Sequence, residues 1–465
     1  MIRKVAIVIF FFAWTLTTHG KYSASGDEPH YLMMAQSIVA DHDLDLANNY
    51  ANNDGRLFGH DHLGSGPHAL PTRTGQLRPV HDPGLAVLLL PVYVTGQAVA
   101  RLPTDAMLER VHMTRGLFAY SIISLFLIGL TAFALMLLGY GLSRLADERI
   151  AAAVVLMIGL SPPVLSYSFL VFPEVVAMAL SCTVVWFVLK APEERDRVIV
   201  LALALAAGLL PWMHHKFLLY AAGLLLLVAY KRWSLVTALP RSSQWLAVAL
   251  FALPQIGLQL LTLPIWGTLT GGLAANGLPF DRVSFRDGVV GLWINRTSGL
   301  LAFAPMFWLF PACAVLTFRR TWPFLAVTLL VYLPAAAYVD WPAGFSPAAR
   351  YLAPLIPLWS VAIADALRYR PVRIAALVLA VPQLVVDAVV WQHPRWLWPA
   401  DPSNRMLEAL GPIGRAYEAL LPPIQIEGLR PSASWALLIA AGLCGVIVAA
   451  ALSATPKTPV VMRTG

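Results

Sequence analysis

Pro83-Gly84-Leu85-Ala86-Val87-Leu88-Leu89-Leu90-Pro91-Val92-Tyr93-Val94-Thr95-Gly96-Gln97-Ala98-Val99-Ala100 is an apolar stretch whose placement fixes the orientation of everything that follows it. Arg3 and Lys4 precede the first apolar segment, Val5 to Thr18, which puts the N-terminus in the cytoplasm and the next loop outside. If Pro83 to Ala100 crossed, Lys231, Arg232 and Arg241 would face outward, and so would Arg319-Arg320 and Arg368, Arg370 and Arg373. If it is interfacial or re-entrant and the second crossing is Gly116 to Leu138, every basic loop falls inside. These are Arg144 with Arg149, Lys190 with Arg195 and Arg197, Lys231 to Arg241, Arg319-Arg320, Arg368 to Arg373, and the Lys457 tail. The charge rule selects the second arrangement, and Pro83 and Pro91 weaken a full-length helix there.

Composition sets the class. Of 465 residues 58% are hydrophobic and 12% charged, against about 25% charged in soluble domains. Apolar segments recur as far as Ala451, with no soluble block of ~100 residues, so the expectation is one all-α polytopic domain over residues 1–465. At ~20 residues per crossing the map holds about twelve spans. Its parts are an outer loop with interfacial helices (19–115), core spans (116–391), a late outer segment rich in Trp and Pro (392–432), and a last span with a cytoplasmic tail (433–465). The net charge of +8 is loop charge in such a protein and does not point to nucleic acid. Cys182, Cys313 and Cys444 lie in apolar stretches without paired spacing, which supports neither a disulfide framework nor a zinc site.

The chemistry collects on the outer side. Ser25-Gly26-Asp27-Glu28-Pro29-His30-Tyr31 opens the first loop with adjacent carboxylates, and Gly26 to Ala40 has the pattern of an amphipathic helix in the interface. Asp41, Asp43 and Asp45 lack the glycine and terminal glutamate of a calcium loop and read as a solvated face. His60, His62, His68 and His81 lack local ligand spacing and read as surface imidazoles. The first segment could also be a signal peptide; Ser23-Ala24-Ser25 matches a cleavage site poorly, and removal would leave the orientation unchanged.

Taken in order, several segments resemble the polyprenyl-phosphate-dependent glycosyltransferases of the GT-C fold, a superfamily that includes protein O-mannosyltransferases and lipid A aminoarabinose transferases. They are Gly26-Asp27-Glu28-Pro29-His30-Tyr31 after a short first span, Val80-His81-Asp82-Pro83-Gly84 before a semi-embedded piece, and Phe172-Pro173-Glu174 at the outer end of a span. Trp212-Met213-His214-His215-Lys216, Asn295-Arg296-Thr297-Ser298-Gly299-Leu300 and Trp341 to Tyr351, with its Arg350-Tyr351 end, continue the resemblance to about residue 370. Where the aminoarabinose transferases carry an acidic-basic-Pro triplet, His81-Asp82 lacks the basic residue.

The resemblance implies transfer of a sugar from a polyprenyl-phosphate donor to an envelope lipid, polysaccharide or protein, on the periplasmic side of the cytoplasmic membrane. Such transfer needs a base for the acceptor hydroxyl, a role that falls to Asp27, with Glu28 orienting it or binding the acceptor. It also needs fixed cations for the departing lipid phosphate, which are Arg350 and Lys216, with His215 or His81 in place of the missing basic residue. Glu174, His81, Asp82 and Tyr351 complete the expected substrate site. No metal is assigned, although Asp27 with Glu174 is a conceivable pair, and no cofactor is expected beyond the lipid-linked donor. Two rivals share the topology: a transporter or lipid flippase using proton-coupled carboxylates, and an outer-face polysaccharide ligase or polymerase. Neither repeated halves nor mid-span acids support the transporter.

Overall fold

Six helices among the described residues are long and apolar enough to cross a bilayer: Arg115–Leu142, Asp196–Met213, Arg241–Trp266, Pro305–Ala337, Arg370–Gln392 and Trp435–Ser453. The computed structural model describes residues 1–17, 25–72, 75–193, 195–269, 272, 282–398, 403–430 and 433–453. Ser23-Ala24, in the candidate cleavage site, and the Lys457 tail lie outside them. The apolar window of Arg241–Trp266 is only 11% buried against the rest of the protein, as is that of Trp435–Ser453, whereas that of Arg115–Leu142 is 56% buried. Water would not tolerate that much bare aliphatic surface, so the outer helices face lipid and the chain is a multi-pass membrane protein.

Several of the other expected crossings fall on shorter helices: Ile2–Thr17, Glu148–Leu160, Pro173–Leu189, Leu218–Lys231 and Ile356–Ala366, of 11 to 17 residues. At 1.5 Å per residue these measure roughly 17–26 Å, less than the ~30 Å hydrocarbon core. The loop expected at Arg319-Arg320 is instead helical backbone within Phe310–Ala337. That run is bent. Phe310 stacks on Trp293 with ring centroids 5.7 Å apart, while Ala336 backbone meets Gly288 on the same short helix, Arg282–Ile294. A straight helix would hold residues 310 and 336 about 39 Å apart. Pro323, which cannot bond the carbonyl of Arg319, supplies the break.

Gly84–Val99 is one continuous helix, and Pro91 sits inside it without ending it, contrary to the expectation from its prolines. Both of its ends nevertheless stay with the first loop. Asp82, just before it, reaches His215, and near the far end Gln97 Nε2 donates to the Leu57 carbonyl at 2.7 Å. Arg115 then donates to the Ala100 carbonyl, Gly116 packs on Gly59, and Tyr120 reaches back to Glu28. The other end of Arg115–Leu142 meets the N-terminus: Gly139 packs on Ile2, and Arg3 Nε donates to Tyr140 Oη at 2.9 Å. Both ends of Gly84–Val99 therefore contact residues of the segment, or partners of the site, that carry Asp27.

The first loop is more enclosed than an interfacial helix would be. Glu28–Ala40 buries Glu28 through Ala35 and Ser37, so the expected amphipathic face is replaced by near-complete packing, chiefly against Gly84–Val99. Beyond it come helix Ala47–Ala51, a 3-10 turn at Asp54–Phe58, and an antiparallel pair of short strands, Ala69–Pro71 and Leu77–Pro79, in register Ala69 to Pro79. Among the described residues this is the only strand pair. Within the expected outer loop Gly267 to Ser298, residues 282–294 are helix. The late segment also folds: Tyr417 Oη donates to the Leu301 carbonyl at 2.6 Å, and Gln425 N–H donates to Asn295 at 3.1 Å.

Candidate functional site

Gly26 has a left-handed φ of +60°, and a Cβ there would come within 2.3 Å of the Phe345 carbonyl oxygen. Only glycine lets the chain turn this tightly against the 340–350 loop. Asp27 follows as the N-cap of Glu28–Ala40, but its carboxylate makes no cap bond and is free to reach across the site. Its Oδ2 lies 2.8 Å from Arg350 Nη1. Successive helical side chains diverge by about 100°, and Glu28 points into protein. It is fully buried, accepting from Tyr120 Oη at 2.6 Å, Val171 N–H at 2.8 Å and Ser25 N–H at 3.2 Å. Expected beside Asp27 in the chemistry, Glu28 instead ties the first loop to helix Arg115–Leu142 and to the bend that leads into Pro173–Leu189.

Glu174 sits in the first turn of Pro173–Leu189, where proline at N1 and a helix dipole favour a carboxylate. Fully buried, its Oε1 is 2.7 Å from Arg350 Nε and 2.5 Å from Lys216 Nζ. The Arg350 guanidinium lies over the Phe172 ring at 4.5 Å, and the Lys216 ammonium lies 4.9 Å from the Tyr351 ring centre. Two carboxylates and two cations from four distant segments thus form one neutral network. Burial alone would raise Asp27, but Arg350 holds it far below the usual carboxylate range. Burial lowers Lys216 to about 8 against the opposing pull of Glu174. Arg350 gains from Glu174 and Asp27 more than burial removes and stays cationic.

The network borders a cavity of about 490 Å³. Asp27, His81, Asp82, Lys216, Arg350 and Tyr351 line it, and Val331, Pro334 and Ala335 supply an apolar wall from the end of Phe310–Ala337. Glu174 stands behind the cations. His215 stands behind Asp82, with Nδ1 2.6 Å from Asp82 Oδ1 and its backbone N–H 2.8 Å from Oδ2. That leaves His215 Nε2 buried and without a partner. Asp82 is raised by burial, which His215 opposes only in part. Of the nine residues expected from sequence, six line the cavity, Glu174 and His215 brace it, and Glu28, next to Asp27, points away from it into the protein.

Among the lining residues not assigned from sequence are His68, His214, Tyr338 and Asp340. His68 and His81 are not the surface imidazoles expected. The strand pair places them together, because Val80 N–H donates to the His68 carbonyl at 2.9 Å and His81 follows. His68 Nδ1 is 3.0 Å from His81 Nε2 and 3.7 Å from Asp27 Oδ1. Burial lowers His81 to about 4 and lowers His68, so both rings are neutral near pH 7. Asp27, His68 and His81 are the described residues that could hold a metal, their ligand atoms lying within 4.8 Å of one another. His60 and His62 stay apart from them, and Glu174 is committed to Arg350 and Lys216.

No protein-family model matches the chain, and no characterised protein matches it in sequence. Solved structures of an oligosaccharyltransferase from Archaeoglobus fulgidus are similar at long range. One is AglB in complex with an inhibitory peptide and a dolichol-phosphate, with a TM-score of 0.44 and 11% identity over 89% of this chain and 58% of that one. Another is a complex with Zn and sulfate, with a TM-score of 0.45 and 13% identity over 90% and 57%. The apo form gives 0.44 and 12% identity over 89% and 59%. The chain spans less than three-fifths of those proteins, and a likeness this distant assigns neither family nor activity.

Proposed function

We propose that this protein is a GT-C-type glycosyltransferase that moves a sugar from a polyprenyl-phosphate-linked donor to an envelope acceptor on the outer face of the cytoplasmic membrane. In this reading about twelve helices cross, the short ones included, and residues 19–115 form the outer-face catalytic loop. The observation that carries it is the network of Asp27, Lys216 and Arg350, braced by Glu174, at one cavity that also has an apolar wall. A lipid phosphate has the matching character, an anion joined to an aliphatic chain.

Arg350 and Lys216 would bind the phosphate, Arg350 with two of its donors because a guanidinium matches phosphate oxygens in pairs. Asp27 now occupies one of those donors, and a carboxylate held by arginine is a poor base. An incoming phosphate would draw Arg350 away and free Asp27 to accept the proton of the acceptor hydroxyl. Glu174 would keep both cations charged as bound phosphate becomes leaving group, while Tyr351, His81 and Asp82, held by His215, would contact the sugar or acceptor. Glu28 would position the loop. The test compares transfer of radiolabelled sugar from a polyprenyl-phosphate donor in membranes holding native protein or Asp27→Asn at matched expression. Native membranes should give labelled product and the variant at least about 100-fold less. Equal transfer removes Asp27 as the base, and solute transport without product would favour the transporter.

A further inference from the structure

Asp27 divides its two oxygens. Oδ2 is held by Arg350 at 2.8 Å, while Oδ1 faces His68 Nδ1 at 3.7 Å, and His68 Nδ1 in turn faces His81 Nε2 at 3.0 Å. We infer that Asp27 Oδ1, His68 Nδ1 and His81 Nε2 are the three protein ligands of a divalent ion of zinc's class. This inference does not rest on the sugar-transfer reading, although it shares Asp27 with it: with Oδ1 on the metal, it is Oδ2, freed when phosphate draws Arg350 away, that would accept the acceptor's proton.

The donor set decides the class. Two imidazoles and one carboxylate suit zinc and its borderline neighbours, whereas magnesium and calcium prefer oxygen alone. Tetrahedral zinc with bonds near 2.0–2.1 Å holds its ligand atoms about 3.3 Å apart, and these atoms already lie within 4.8 Å of one another. Small side-chain movements close the site. Three protein ligands also leave a fourth position open, as in zinc sites that take an exchangeable water or anion. Facing a cavity lined by Lys216 and Arg350, that position would take an anionic oxygen such as one from phosphate.

The surroundings hold the ligands as a metal site requires. His30 stacks on His68 with centroids 3.8 Å apart, and its Nδ1 is fixed by Tyr50 Oη at 2.7 Å. Tyr31 packs against His81 at 4.9 Å, and its own hydroxyl is buried without a partner. Arg350 orients the carboxylate from the far side. Both imidazoles are half-buried, and the neutral ring is the form that binds metal.

The test titrates zinc chloride into tag-free, chelator-stripped protein in detergent by calorimetry, with metal content counted by elemental analysis. Native protein should bind one zinc per chain, and His68→Ala and His81→Gln should each weaken binding at least 100-fold with metal-free melting temperatures unchanged. His60→Ala should bind as native. Cobalt in the same site should give visible d–d bands of a four-coordinate ion, absent from both variants. Substoichiometric binding, or binding indifferent to both substitutions, would overturn the inference. These readouts do not use sugar transfer, so loss of one leaves the other standing.

Discussion

Replacing Arg350 by glutamine removes the one side chain that joins the two carboxylates of the site. Arg350 is 7% exposed and donates to Asp27 Oδ2 at 2.8 Å and Glu174 Oε1 at 2.7 Å. Each is a hydrogen bond between charged groups, of about 1.5–3 kcal/mol. Without them Glu174, fully buried, keeps only Lys216, and the cluster changes from neutral to a net single negative charge. Breaking a buried pair by removing one partner costs about 3–5 kcal/mol, which agrees with the sum of two such bonds. Arg350→Lys keeps the charge but cannot span both carboxylates, so it should cost about half as much. Unfolding of detergent-solubilised protein by SDS titration measures these differences. The double variant Arg350→Gln with Asp27→Asn should be less destabilised than the sum of its parts, because the second change removes a stranded charge. Arg350→Gln within about 1 kcal/mol of native, or additive effects in the double variant, would refute the coupling on which the site rests.

Lys216 gives a pH signature. Its ammonium is present below about 8 and lost as pH rises through that value, so phosphate-dependent turnover should fall on the alkaline side near pH 8. Lys216→Arg should move that limb upward, and an unmoved limb would exclude Lys216 as its source. Topology is tested by labelling with an impermeant thiol reagent added outside intact cells. A cysteine at exposed Asn48 should react and one at exposed Ser242 should not; labelling at Ser242 as well would require Pro83 to Ala100 to cross.

The sequence exposed the large features because they depend on charge and hydropathy, which are additive along the chain. Basic residues at span ends placed Glu174 and Lys216 on the side opposite Lys190 and Arg232, and the helices run that way. Motif order also carried most of the cavity, since Asp27, Lys216 and Arg350 sit at helix starts that must face one side. The rest depended on contacts between remote residues. Nothing local in Asp27-Glu28 reveals that Tyr120 and Val171 enclose the second carboxylate while the first stays free. His68 was hidden because a strand register, not a helical spacing, brings it to His81. The bend in Phe310–Ala337 escaped for the opposite reason: Arg319-Arg320 reads as a loop by charge, yet the chain turns there at Pro323 without leaving helical backbone.

The most direct measurement is turnover of a polyprenyl-phosphate-linked sugar by purified protein in proteoliposomes supplied with envelope extract, followed as release of free polyprenyl phosphate. Native protein should release it, with Arg350→Gln and Asp27→Asn both at background while the proteins remain folded. Absence of release from native protein, or release undiminished by both substitutions, would contradict the claim that this cavity transfers sugar from a lipid phosphate.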